Sequence, residues 1–404
     1  MHRQQMIFII CMFLLCGCEE NRKVEYVNPF TGIEAVNILG HKGAGTMGRY
    51  GNSDFLDNSP EAILQGIQHL DGVEFDMQLS KDTTLWLFHD HEIPTCADTS
   101  ANFFLLSDEE IKSISSCRFN GRLISLYGIM ELINQQSFDK KKYLSLDIKG
   151  LQNPEALKYF GSKKALGEVV LNKLTTTVDS KLPFEFLVEL PFKEQVELFQ
   201  HFPGTSFALC SAMDDCLETA AQHDCGISLS LQSAQSLQPD KKFTTQLWTP
   251  NTGTELQQAL ALKPDFIQTD NLTMVRFIRD NQEGFVRETI LQKEQFSIQN
   301  EFQQIHSKSF SAFQSPFFLE LSFHSDQNIN PEDVLLVHTG STTGEPLYWE
   351  KFEIKKGENK HLIFLDLPFI QPDQKDELKL YFWNRSKGNF KVSRLEVNML
   401  IPPI

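Results

Sequence analysis

The sequence lacks several features that would point to common classes of function. None of its eight cysteines forms a Cys-x-x-Cys pair, which argues against the usual zinc and thiol-redox motifs. Its 37 Lys and Arg are outnumbered by 53 Asp and Glu, and the formal charge of −16 disfavours nucleic acid and anionic membrane surfaces as partners. The remaining composition, 41% hydrophobic and 22% charged over 404 residues, is that of a globular protein with one large and one smaller domain.

The first residues predict export. His2 and Arg3 precede an apolar run at 6–15 that is too short to span a bilayer as a permanent helix. The sequence Leu-Cys-Gly-Cys at 15–18 then resembles a bacterial lipobox, in which cleavage leaves Cys18 as the lipidated first residue. We therefore predict a lipoprotein signal peptide at 1–18, a linker at 19–35, and a protein exported and lipid-anchored to a bacterial membrane, in the periplasm or at the cell surface. The alternative is an ordinary secretory signal with an incidental cysteine.

Five cysteines follow the predicted signal. An exported protein can oxidise some of them, and their odd number leaves at least one free. They are Cys96, Cys117, Cys210, Cys216 and Cys225.

Short apolar runs alternate with amphipathic stretches from residue 36 to about 280. Such alternation predicts a parallel sheet with crossover helices. The candidate strands lie at 36–41, 72–77, 84–89, 143–148, 184–189, 206–210, 226–231, 245–248 and 265–269. The candidate helices include 59–70, 107–115, 125–136, 155–174, 193–201, 212–223 and 253–262. Polar residues at several strand ends are typical of a (β/α)8 TIM barrel, which needs eight strands, so one of 206–210 and 226–231 is expected outside the barrel.

The pattern changes in residues 285–404. Short, partly alternating strands separated by turn-rich segments predict an all-β sandwich-like C-terminal domain. This domain either binds a glycan or a protein, or acts as a structural module that caps the barrel.

Two carboxylates lie on one face of a predicted strand. In the sequence Val-Glu-Phe-Asp-Met at 73–77, the period of two places Glu74 and Asp76 together and the apolar side chains on the opposite face. If that face is the barrel lumen, isolated carboxylates are costly unless they are paired or bind a metal. The alternative is an edge strand with two solvated acids.

A third acid follows the same rule. In the segment 143–149 the same period places Asp147 and Lys149 on one face, and on their own they could be a plain ion pair. Together with Glu74 and Asp76, Asp147 completes a set of three carboxylate ligands, which suits a hard divalent cation such as Ca2+ or Mg2+.

Two histidines also stand at strand ends. His41 and His89 each follow an apolar strand and precede a loop, and a histidine can exchange protons near neutral pH. A single histidine is more often structural, but two beside three carboxylates predict acid–base catalysis. His91 is expected to be a bystander.

These motifs, taken in order along the chain, resemble the glycerophosphodiester phosphodiesterase family. The resemblance covers roughly residues 36–275 and includes several shorter segments. They are His-Lys-Gly-Ala at 41–44, Ser-Pro-Glu-Ala at 59–62, the acidic strand at 73–82, Phe-His-Asp at 88–90, Leu-Asp-Ile-Lys at 146–149, Leu-Trp-Thr-Pro-Asn at 247–251 and Phe-Ile-Gln-Thr-Asp at 266–270.

The resemblance implies a TIM barrel that hydrolyses a small-molecule phosphodiester with a divalent metal. It makes Glu74, Asp76 and Asp147 metal ligands and His41 and His89 the general acid and base. Its substrate-binding residues would be Lys42 and Lys149, which would contact the phosphate, and Trp248, which would pack beside the site. The family usually has Arg at position 42 and Glu at position 147. Lys offers a point charge where Arg offers a planar fork, so the grip on substrate is expected to differ.

In the family's proposed route, a glycerol hydroxyl of the substrate attacks phosphorus and the resulting cyclic phosphate is hydrolysed. Two other functions stay open at this stage. One is a phospholipase D-like lyase of the same barrel type, which stops at the cyclic phosphate. The other is a surface lipoprotein that has lost catalysis and binds glycans through its sandwich.

Overall fold

The computed structural model describes residues 25–49, 55–178, 184–237, 242–310, 316–325, 334–341, 346–366 and 376–403. The strands in these ranges are β1 Glu25–Val27, β2 Asn37–Gly40, β3 Gly72–Leu79, β4 Leu85–Leu87, β5 Glu92–Pro94, β6 Ser100–Asn102, β7 Lys142–Asp147, β8 Phe184–Leu190, β9 Thr205–Leu209, β10 Gly226–Ser230, β11 Thr245–Trp248, β12 Phe266–Thr269, β13 Phe285–Ile298, β14 Phe302–Phe310, β15 Phe317–Ser325, β16 Val334–Ser341, β17 Pro346–Glu353, β18 Gly357–Leu365, β19 Asp376–Trp383 and β20 Phe390–Ile401. The α-helices are α1 Pro60–His69, α2 Asp108–Arg118, α3 Leu126–Asn134, α4 Pro154–Phe160, α5 Lys163–Thr177, α6 Lys193–Leu198, α7 Cys216–His223, α8 Leu231–Leu237, α9 Gly253–Leu262 and α10 Leu272–Asp280.

Eight parallel strands form a closed barrel. Their order is β2-β12-β11-β10-β9-β8-β7-β3, and pairing of β3 with β2 closes the ring. Helices connect successive strands, as parallel neighbours require. The prediction of a TIM barrel is confirmed.

One strand assignment was wrong. The candidate at 84–89 is β4, which pairs antiparallel with β3 and lies outside the parallel ring, whereas 206–210 and 226–231 both supply barrel strands. Only residues 80–84 separate β3 from β4, and the Ser80 N–H donates to the Thr84 carbonyl. A connection this short can only reverse the chain, because a parallel crossover needs a dozen or more residues.

The helices begin where local capping chemistry indicates. Ser107 caps α2 in a reciprocal capping box with Glu110, and Ser59 caps α1 ahead of Pro60. The helix candidate at 155–174 is two helices, α4 and α5, separated at Gly161, whose φ of +74° is the left-handed conformation that glycine tolerates. Helices α8 and α10 lie outside every predicted helix range.

Two antiparallel sheets form the C-terminal sandwich, in agreement with the prediction. One has the order β1-β13-β20-β15-β18 and the other β14-β19-β16-β17. Alternate residues of β15, from Phe317 to Phe323, lie in the core between the two sheets.

The N-terminal strand β1 belongs to this sandwich, although it falls within the predicted linker at 19–35. It pairs antiparallel with β13, with Glu25 opposite Arg287 and Val27 opposite Phe285. Phe30 follows it and is fully buried, which gives this segment an apolar anchor that the linker interpretation overlooked. The part of the predicted linker before Glu25 lies outside the described residues.

The five cysteines after the predicted signal leave one free, as their odd number predicts. Cys96 is bonded to Cys117, Cys210 is bonded to Cys216, and Cys225 is free. The first bridge ties the β5–β6 hairpin region, which follows His89, to α2.

No helix in the described ranges is long and apolar enough to cross a membrane. The predicted signal peptide and Cys18 lie outside those ranges.

Candidate active site

The predicted chemical residues converge at the carboxyl ends of three neighbouring barrel strands. Strands β2, β3 and β7 are adjacent and parallel, so their ends open on one side of the barrel, which we call the mouth. Glu74, Asp76 and Asp147 each place a carboxylate oxygen within 4.8 Å of the other two. Below them, an apolar layer fills the lumen; it comprises Leu39, Tyr143, Leu187, Phe207 and Phe266.

All three carboxylates are buried and only partly satisfied by the protein. The Lys42 N–H donates to Glu74 Oε2 at 2.8 Å, and Asn58 Nδ2 donates to Asp76 Oδ2 at 3.0 Å. Burial, with repulsion from Asp76 and Asp147, raises the pKa of Glu74 well above its usual range. A cation bound among these carboxylates would offset this repulsion.

Lys149 neutralises part of this charge. Its Nζ lies 2.6 Å from Asp147 Oδ2 and 3.6 Å from Asp76 Oδ1. Burial alone would lower the pKa of Lys149, but the negative charges of Asp147 and Asp76 outweigh it and raise that pKa, so Lys149 stays an ammonium. Three acids and one lysine leave a formal charge of −2, which one divalent cation balances. The donor set therefore fits Ca2+ or Mg2+, both of which prefer carboxylate oxygen.

His41 is held by a buried acid from the far end of the barrel sequence. Its Nδ1 lies 2.7 Å from Asp270 Oδ1, and its Nε2 lies 3.9 Å from Glu74 Oε2. Asp270 is held in turn by Asn251, whose Nδ2 donates to Asp270 Oδ2 and whose Oδ1 accepts from the Asp270 N–H, both at 2.7 Å. Burial alone would raise the pKa of Asp270, but the hydrogen bond from His41 outweighs it and lowers that pKa to about 2. Asp270 therefore fixes the ring so that Nε2 faces the carboxylate cluster.

His89 is more exposed but carries a similar arrangement. Its Nδ1 lies 2.6 Å from Asp90 Oδ1, and its backbone carbonyl accepts from Gln78 Nε2 on β3. The same Gln78 nitrogen lies 3.1 Å from His91 Nδ1. Burial, together with the neighbouring charges of His89 and Lys149, lowers the pKa of His91. His91, predicted as a bystander, is thus attached to the strand that carries two of the acids.

The remaining predicted site residues lie at the same mouth. Lys42 has a φ of +52°, and its Nζ lies 3.4 Å from Asp57 Oδ2 while its backbone holds Glu74. Trp248 ends β11 two residues after Gln246, whose side chain lies in the lumen, so the strand period places the indole on the lumen side. The Trp248 Nε1 is buried and has no hydrogen-bond partner among the described residues.

Residues 41–184 match the model of the glycerophosphoryl diester phosphodiesterase family. The chain carries a domain of this family. The predicted resemblance, and with it the prediction of a phosphodiesterase, is confirmed. No curated protein matches the chain.

Solved structures similar to this chain include three phosphodiesterases. A glycerophosphodiester phosphodiesterase from Thermotoga maritima is 18% identical over 60% of this chain and 97% of its own, with a TM-score of 0.42. One from Parabacteroides distasonis is 14% identical over 61% and 98%, with a TM-score of 0.47. A phosphodiesterase from Oleispira antarctica, in complex with the product sn-glycerol-3-phosphate, is 17% identical over 61% and 98%, with a TM-score of 0.46.

Within the phosphodiesterase barrel, sequence reasoning missed the residues that support the site. Asn58 was given no role at the site, and Asn251 and Asp270 were quoted only as parts of motifs. Glu189 was overlooked as well. It lies in the lumen, accepts from Gln246 and Gln268 at 2.7 Å each, and is next to Asp147 in strand register.

Glu189 could have been found by the rule that identified Asp147. It lies near the end of an apolar strand with the same period of two. Burial, together with repulsion from Asp147, raises its pKa to about 7. The asparagines carried no such signal, because their partners are distant in sequence.

Proposed function

We propose that this phosphodiesterase hydrolyses glycerophosphodiesters to glycerol 3-phosphate and an alcohol with the help of a divalent cation. The observation that carries the proposal is the meeting of His41 with three buried carboxylates at the mouth of the barrel. The family match supports phosphodiester hydrolysis as the class of reaction.

Glu74, Asp76 and Asp147 would hold the cation. Ca2+ or Mg2+ bound there would offset the negative charge of the phosphate and orient it for in-line attack. Lys149, which stays protonated beside Asp147, supplies a second positive charge for the phosphate oxygens. Lys42 and Trp248, at the same mouth, are proposed to contact the substrate.

The two histidines are suited to move the protons. Because a carboxylate occupies Nδ1 of both His41 and His89, a neutral ring carries its proton on Nδ1 and leaves Nε2 as the acceptor. One histidine takes the proton of the substrate's glycerol hydroxyl as that oxygen attacks phosphorus. The other histidine acts in its imidazolium form, which carries a proton on both ring nitrogens, and it donates the Nε2 proton to the leaving alkoxide. Water then opens the cyclic phosphate.

The assay that tests this function is release of glycerol 3-phosphate from a panel of glycerophosphodiesters by a form that begins at residue 19. We expect release that requires Ca2+ or Mg2+ and stops on addition of chelator, because the carboxylates alone repel the phosphate. Turnover of an aryl phosphodiester without a glycerol hydroxyl is the control, and we expect it to be slow. Release that persists in excess chelator would contradict the proposal.

We also propose that the protein is exported and anchored through a lipid on Cys18, as the lipobox at 15–18 predicts. Expressed in a lipoprotein-processing bacterium, the full chain should incorporate labelled palmitate and sediment with membranes. Cys18→Ser should remove both properties, whereas Cys16→Ser should keep them. Equal labelling of the Cys18 variant would exclude this anchor.

A further inference from the structure

The C-terminal sandwich is fastened to the side of the barrel by a patch of apolar residues on its outer face. Phe318 of β15 is fully buried, and its ring centroid lies 4.9 Å from that of Phe30 and 5.8 Å from that of Phe277 on α10. Phe318, Leu362 and two other residues of this sheet belong to the core cluster of the barrel, separate from the core between the two sheets. The sandwich and this side of the barrel are therefore packed as one body.

At the mouth end of this contact, the sheet meets the first turn of α9. Strand β18 is at the edge of its sheet, and the Leu362 N–H donates to Thr254 Oγ1 at 2.6 Å. A methyl group at position 253 would lie 2.6 Å from the Leu362 carbonyl oxygen and 3.1 Å from the Phe318 ring, so only glycine permits this approach. The first two residues of α9, Gly253 and Thr254, are therefore both in close contact with Leu362.

The same helix turn holds the support of His41. Thr252 and Glu255 form a capping box at the start of α9, and Glu255 Oε2 also accepts from the Asn251 N–H at 2.9 Å. The Asn251 side chain makes two hydrogen bonds to Asp270, which in turn binds His41 Nδ1. Both Asn251 and Asp270 are buried, so this arrangement has little room to relax.

We propose that the C-terminal sheet positions the general acid–base histidine: Leu362 of β18 fixes the start of α9 through Thr254, and through Asn251 and Asp270 it fixes the orientation of His41. Thr254 is thus a positioning residue that touches neither substrate nor metal. The sandwich would then contribute to catalysis and would not act only as an appended domain that binds a ligand elsewhere. The kinetic test rests on the proposed function, whereas the spectroscopic test below does not.

The test compares Thr254→Val with Thr254→Ser in the full-length protein. Valine keeps the shape of threonine but removes the oxygen, which leaves the Leu362 N–H without a partner, whereas serine keeps the oxygen. In Thr254→Val we expect kcat to fall about tenfold with KM within about twofold, because the loss affects orientation and not substrate binding. Thr254→Ser should restore kcat to within about twofold of the wild type.

The second readout is the downfield proton NMR signal of the His41 Nδ1–H bonded to Asp270, assigned by its absence in His41→Asn. It should shift or broaden in Thr254→Val and in Gly253→Ala. It should remain in Thr254→Ser and in the control Thr289→Val, which removes a hydroxyl bond to Asn398 within the same sheet. A wild-type signal and wild-type kcat in Thr254→Val would overturn the inference. A wild-type protein without activity, but with the signal lost in Thr254→Val, would refute the proposed function and leave the inference standing.

Discussion

His41→Asn and His89→Asn should each lower kcat by about a thousandfold, the usual contribution of a positioned acid or base. Asparagine is the informative substitution at position 41, because its amide can still donate to buried Asp270, which would otherwise lose one of its hydrogen-bond donors. It cannot carry a proton at neutral pH. The measurement is the initial rate of glycerol 3-phosphate release at saturating substrate and metal.

The control for these variants is His201→Asn, at an exposed histidine on the outside of the barrel. It should keep the wild-type rate, and all three variants should unfold at temperatures close to that of the wild type. If either site variant kept more than about a tenth of the wild-type kcat, that histidine would not be the acid or base.

Glu74→Gln should have opposite effects on stability with and without metal. Without metal, burial and the neighbouring acids penalise an ionised Glu74, so the neutral variant should be at least as stable as the wild type. Glutamine also keeps an oxygen for the Lys42 N–H. With metal at a hundred times its dissociation constant, the wild type should gain about 2.7 kcal/mol in free energy of unfolding, and the variant should gain almost none.

The measurement is thermal unfolding across a titration of Ca2+ and, separately, of Mg2+. Glu61→Gln removes an exposed carboxylate from α1 and serves as the control, with a metal response equal to that of the wild type. A full metal response in Glu74→Gln would show that the cation binds elsewhere. The titration also distinguishes the two ions, a choice that the carboxylate set leaves open.

The parts of the site that could be predicted from sequence are those that a single strand encodes. Glu74 and Asp76 share a face because the strand period is two, and the structure brings both together with Asp147. Lys149 was predicted on the same strand face as Asp147, but β7 ends at Asp147 and Lys149 begins a 3-10 turn at 149–152, from which its Nζ contacts Asp147 and Asp76. The same rule cannot tell a barrel strand from a hairpin strand. That is why β4, an equally apolar run, was wrongly assigned to the barrel.

The supporting residues could not be predicted, since they depend on contacts between distant segments. Asp270 is 229 residues from His41, and no local pattern links them. The packing of the sandwich against the barrel has a clearer signal in the sequence. Phe317, Phe318 and Leu319 are consecutive apolar residues, a pattern that is typical of a strand buried on both faces. An outer face of the sandwich packed against the barrel could therefore have been expected.

Metal-dependent hydrolysis of a glycerophosphodiester is tested most directly by phosphorus NMR of glycerophosphocholine incubated with the protein and metal. We expect the diester signal to be replaced by a single monoester signal, that of glycerol 3-phosphate. We expect no change in the presence of chelator or with Glu74→Gln. An unchanged diester signal under every metal condition, or a cyclic phosphate that accumulates without a monoester, would contradict the proposed function.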